Sequence, residues 1–74
     1  MSFFPEQHDC VNQTPVGSLW QHKKTKDFYR VTGHAMIEST WKPGVLYVQN
    51  IRSPSPTIMR DGDEFIDGRF ERVG

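Results

Sequence analysis

The side chains with most capacity for recognition chemistry are Trp20, Tyr29 and Trp41, with the cations Lys23, Lys24, Lys26 and Arg30 between and beside them. Rings next to lysine and arginine make the stacking and charge-pairing surface on which a nucleic-acid single strand or an anionic peptide settles. A competing reading sends Trp20 and Tyr29 into a core too small to spare large rings, and leaves the lysines as a solvated turn. Trp41, beside Lys42-Pro43-Gly44, is either a loop anchor for a partner or a lid over one end of the core.

Catalytic and metal chemistry find less support. His8, His22, His34 and Cys10 are the borderline or soft ligands of the protein, and no two of them have the close spacing of a zinc site. A reactive Cys10 thiolate needs an ordered cationic environment, which an irregular N-terminal arm does not supply. Asp61, Asp63, Glu64 and Asp67 resemble the opening of a calcium loop, but Phe65 stands where an oxygen ligand is required. Helix capping and ion pairs to Arg60, Arg69 or Arg72 are the expected use of those acids. A small metal-dependent or histidine–carboxylate hydrolase built from His22, His34 and the acidic cluster is the alternative class, and it requires the fold to bring them into one pocket. No spacing calls for a cofactor.

These residues belong to a chain of 74 with nine basic and nine acidic side chains. A chain this short forms one domain and buries only about 60% of the surface its unfolded form exposes. Zero net charge removes the bulk electrostatic argument for nucleic-acid or membrane-surface binding, so either would need a local patch. The single cysteine excludes an internal disulfide and points to a reducing cytoplasm. No apolar run approaches the roughly 18 residues of a membrane span, and the N-terminus does not read as a signal peptide, so a soluble, unprocessed protein without membrane attachment is expected.

The elements that must position the candidates read as β-structure. Residues 1–16 show neither helical nor strand periodicity and are expected to be an irregular N-terminal arm, with the Phe3-Phe4 pair docking on the domain or on another subunit. Residues 17–74 form the domain. Strands are expected over 18–22, 28–38, 45–50, 57–60 and 69–73, separated by the lysine turn, a loop over 39–44 with the Pro43-Gly44 turn signal, a proline loop over 52–56, and a helical turn within 61–68. In the long second strand, alternation assigns Tyr29, Val31, Gly33, Ala35 and Ile37 to the core face. It assigns Phe28, Arg30, Thr32, His34, Met36 and Glu38 to the other. Gly33 in mid-strand marks a bulge or bend that lets one strand serve both halves of a small barrel. The expected fold is all-β, a five-stranded SH3-like barrel or roll with a short helical turn before the last strand.

The ordered set Gly17-x-x-Trp20-x-His22-x-Lys24, Tyr29-x-Val31-x-Gly33, Glu38, Val45-Leu46-Tyr47, Arg60 and Phe65-x-Asp67-Gly68-Arg69-Phe70 resembles the small bacterial and phage domain DUF1653 over roughly residues 16–73. That resemblance implies an SH3-like roll and a bacterial or phage source, and it implies no established activity. The sequence departs from the family pattern at Ile58, where an aromatic is usual.

The function expected from these features is a non-enzymatic binding or accessory module. Its surface combines Trp20, Lys23, Lys24, Lys26, Tyr29, Arg30 and Trp41. A protein partner is favoured over nucleic acid by the zero net charge, and self-association is open to a small body with a basic and an acidic end.

Overall fold

The computed structural model describes residues 9–50 and 54–74. Five strands, β1 (Leu19–His22), β2 (Phe28–Ile37), β3 (Lys42–Gln49), β4 (Ile58–Asp61) and β5 (Phe70–Arg72), form one antiparallel sheet in the order β4-β3-β2-β1-β5. The all-β expectation therefore holds. The sheet is open, with β4 and β5 at its edges. Two short helices accompany it, α1 (Asp9–Gln13) before β1 and α2 (Gly62–Phe65) between β4 and β5.

The helical turn expected within 61–68 is α2. Asp61 caps it, its carboxylate accepting from the backbone N–H groups of Asp63 (2.9 Å) and Glu64 (3.4 Å). Residues 9–13 correct the expectation of an arm irregular throughout. Five residues make too little of a helix to show periodicity, and isolated helices this short are unstable in water. Tertiary burial of Cys10 and Thr14 accounts for its order. The Phe3-Phe4 pair, Arg52 and Ser53 lie outside the described residues.

A second correction concerns the faces of β2. Val31 pairs with Tyr47 but Gly33 pairs with Leu46, so Thr32 is an extra residue in the ladder, a β-bulge at the place the mid-strand glycine had marked. One inserted residue reverses the alternation beyond it. Tyr29 and Val31 face the core as expected, but past the bulge His34 stands opposite the fully buried Val45, and Met36 opposite Pro43. Gly33, Ala35 and Ile37 therefore take the outer face with Leu46 and Met59.

The third correction is the Pro43-Gly44 turn. Both residues are buried within β3, paired with Met36 and Ala35. The reversal comes earlier, where the Trp41 N–H donates to the Ile37 carbonyl (2.7 Å) and Trp41 itself takes a left-handed backbone, φ 52°. A tryptophan holding the conformation usually left to glycine hid the turn from the sequence.

On the inner face the core is an aromatic cluster of Trp20, Val31, Val45, Tyr47, Phe65 and Phe70, flanked by Tyr29, Ile58 and Ile66. Phe65 from α2 stacks on Phe70 of β5 (centroids 4.3 Å apart, planes 9° apart) and meets Trp20 and Tyr47 edge-on at 5.2 Å. These offset and edge-to-face arrangements suit ring quadrupoles. The half of the inner face beyond the bulge is covered by α1. His34 Nε2 donates to the Thr14 carbonyl (2.7 Å) and reaches the Thr14 hydroxyl (3.0 Å), which donates to the Cys10 carbonyl (2.6 Å).

Candidate functional site

The residues singled out from the sequence separate in space. Trp20 is a core residue, 7% exposed, and its indole N–H donates to the buried Ser18 hydroxyl (2.9 Å). Arg30 lies on the outer face, opposite Val48, where it straps loop to sheet. Its Nη1 donates to the Gly17 carbonyl (2.6 Å) and its Nε to Asn50 Oδ1 (3.1 Å). Lys23, Lys24 and Lys26 are exposed in the turn between β1 and β2. That turn is ordered by His22, whose Nδ1 accepts the backbone N–H groups of Lys24 (3.2 Å) and Thr25 (3.3 Å). Trp41 is 59% exposed at the tip between β2 and β3. It does not cover the core, and it sits at the other end of β2 from the lysines, about 30 Å of strand contour away.

Tyr29 is the member that the fold packs into a cluster of rings and one cation at the margin of the core. It is half-buried and meets the rings of Tyr47 (5.3 Å) and Phe70 (5.8 Å) edge-on. Burial pushes its phenol pKa up, as do the nearby Asp27 and Tyr47, while Arg60 pulls it down. Tyr29, Tyr47, Arg60 and Phe70 come from four different strands. The register places them on the inner face, with Arg60 opposite Val45 and Tyr47 opposite Ile58.

Arg60 was not among the candidate binding residues, although the strand pattern carries its signal. With Ile58 facing inward, the two-residue period turns Arg60 inward as well, and a cation on the inner face of a small sheet needs a reason. Its guanidinium lies over the Phe70 ring (5.7 Å from Cζ to centroid), and its Nε donates to the Tyr47 hydroxyl (3.4 Å). The hydrogen bond to Tyr47 holds its pKa above the already high arginine value, and the fields of Tyr47, Glu64 and Asp67 add to this against burial.

Among the described residues, Arg60 makes no ion pair within 4.0 Å. The acids nearby are drawn elsewhere: Asp67 and Glu64 to Arg69 (3.1 and 3.9 Å) and Asp63 to Lys42 (3.8 Å). Arg60 thus presents a partly buried guanidinium over the Phe70 ring, with no carboxylate among the described residues on its terminal N–H groups, the geometry a bidentate acceptor would complete.

Among the described residues His22, His34 and the acids do not assemble into one centre, and His8 lies outside those residues. His22 packs edge-on against Phe70 (5.0 Å), and His34 is bonded to Thr14. Among the described residues no three of His, Cys, Asp and Glu group as a metal site. No helix among those residues is long and apolar enough to cross a membrane.

Cys10 is 3% exposed against α2. Burial pushes its thiol pKa up, and Asp63 and Asp61 add to the shift. The unfolded protein therefore ionises Cys10 before the folded protein does. The stability tied to this thiol is complete below about pH 8.5 and is lost as pH rises through the elevated folded value. Urea unfolding at neutral pH and at about pH 10 should show a larger loss for the wild type than for Cys10→Ala. Equal losses would mean that Cys10 is not buried against α2.

No protein-family model matches the sequence, and neither a curated protein nor a solved structure matches it.

Proposed function

We propose that the protein is a non-enzymatic module that binds a protein partner at the cluster formed by Tyr29, Tyr47, Arg60 and Phe70. The observation that carries this reading is Arg60: a partly buried cation over the Phe70 ring, without an ion-pair partner among the described residues. Desolvated arginines and tyrosines are the side chains on which binding energy concentrates in protein interfaces. The separate commitments of His22 and His34 favour binding over hydrolysis. Zero net charge and the acids around Arg60 favour protein over nucleic acid.

In this reading the sheet is an SH3-like roll. The strand order, the helical turn between β4 and β5, and the bulge that divides β2 between two halves of the sheet all support it. The domain is then of the DUF1653 kind and acts in the cytoplasm. The lysine turn and Trp41 stand apart from this cluster, at opposite ends of β2.

Affinity capture of the tagged protein from lysate of its native host, with and without nuclease and with Arg60→Gln as control, tests the proposal. The expected result is a protein retained after nuclease and lost with the variant. A partner removed by nuclease would transfer the function to nucleic acid, and no specific partner in either sample would overturn the reading.

A further inference from the structure

We infer that the ligand group seated on Arg60 is a single carboxylate, presented by an acidic side chain or by the C-terminal residue of the partner. The inference rests on the binding-module reading and narrows it to one chemistry. With Nε donating to Tyr47 and one guanidinium face on Phe70, the terminal N–H groups have no ion-pair partner among the described residues, and two parallel N–H donors match the two oxygens of a carboxylate. Partial burial beside Tyr29 and Tyr47 lowers the local dielectric, which strengthens such a pair relative to an exposed one.

Phosphate also matches a guanidinium fork, and local electrostatics decide between the two. Glu64 and Asp67 raise the pKa of Arg60 and Asp27 raises that of Tyr29, so acids surround the one guanidinium that lies over Phe70. Arg69 already engages Glu64 and Asp67 and partly neutralises them. A monoanion is compensated by Arg60 alone. A phosphate near neutral pH carries more than one charge and meets repulsion from the same acids. The surrounding acids therefore favour a carboxylate over a doubly charged phosphate.

The test is an NMR titration of the isotopically labelled full-length protein at constant ionic strength, following Arg60 Nε–Hε and the ring signals of Tyr29 and Tyr47. The probes are acetate, inorganic phosphate and neutral acetamide, then two blocked peptides, one with a free C-terminal carboxylate and one with an internal aspartate and an amidated end. Acetate should shift these signals saturably and bind at least about fivefold more tightly than phosphate, with acetamide silent. Arg60→Lys should weaken acetate several-fold, because it keeps charge without the fork, and Arg60→Gln should abolish the response. The two peptides then show which source of carboxylate fits.

A response that persists in Arg60→Gln, or phosphate binding as tight as acetate, overturns the inference. So does silence at Arg60. If a nuclease-indifferent protein is nevertheless captured, the module reading survives and only its ligand chemistry is wrong. A saturable acetate site in a protein that captures no partner would keep the carboxylate chemistry and remove the module.

Discussion

Replacing Phe65 by alanine should cost about 3–5 kcal/mol, the loss typical of a large buried ring in a core that only partly collapses around the gap. Phe65 is fully buried and touches the rings of Trp20, Tyr47 and Phe70 together. It is also the inward side chain at the end of α2, so its loss removes the contact that seats this turn between the edge strands. A domain of this length has about 4–11 kcal/mol of stability in all, at the usual per-residue value. The variant is thus expected to be largely unfolded by mild urea or at moderate temperature, with near-ultraviolet circular dichroism weakened. Phe65→Leu, which retains most of the volume, should lose less than half as much. A Phe65→Ala midpoint close to the wild type would contradict the aromatic core described here.

Gly62→Ala should also destabilise the protein, although helix propensity alone argues the reverse. Alanine is favoured over glycine inside helices by about 1 kcal/mol. Gly62 opens α2, and a Cβ there would stand 2.5 Å from Cys10 Sγ and 3.0 Å from the Pro43 carbonyl oxygen. One contact comes from α1 and the other from the β3 backbone, so relief requires α1 to move away. Overpacking of this kind typically costs about 1–3 kcal/mol, which outweighs the propensity gain. Adding Cys10→Ala removes the sulfur and should restore part of the loss, and the two substitutions should be coupled in a double-mutant cycle. Urea unfolding of the four proteins measures this. A stabilised Gly62→Ala would show that α1 does not pack on α2.

The two predictions concern features that differed in legibility. Ring content made an aromatic core in a small β domain readable, and alternation in β2 assigned Tyr29 and Val31 to it, but Trp20 was placed on a binding surface and no local pattern assigned Tyr47, Phe65 or Phe70 to the core. The bulge was readable at Gly33, but its consequence for His34, Met36, Ala35 and Ile37 was not. Alternation is a parity rule, and an inserted residue inverts it only if the partner strand is known. Helix α1 escaped because its order comes from burial of Cys10 and the His34–Thr14 bonds, contacts about 20 residues apart in sequence that no local pattern reports.

The candidate site was less legible still. Proximity in sequence grouped Trp20, Arg30, the lysines and Trp41, while the sheet sent the first inward, the second to the outer face and the last to the far tip. Tyr29 is the member of that group which reached the cluster around Arg60. Arg60 joins it from a strand about 30 residues further on, through a register that only the assembled sheet reveals.

Arg60 should therefore matter far more for binding than for folding. Its hydrogen bond to Tyr47 and its place over Phe70 amount to about 1 kcal/mol at a partly exposed site, so Arg60→Gln should remain folded. The measurement that tests the account most directly is the affinity of the captured partner for wild type and for Arg60→Gln, by titration calorimetry at a temperature where both are folded. The account predicts at least a roughly tenfold weaker complex for the variant, about 1.4 kcal/mol. An unchanged affinity would contradict the assignment of the Arg60 cluster as the binding site.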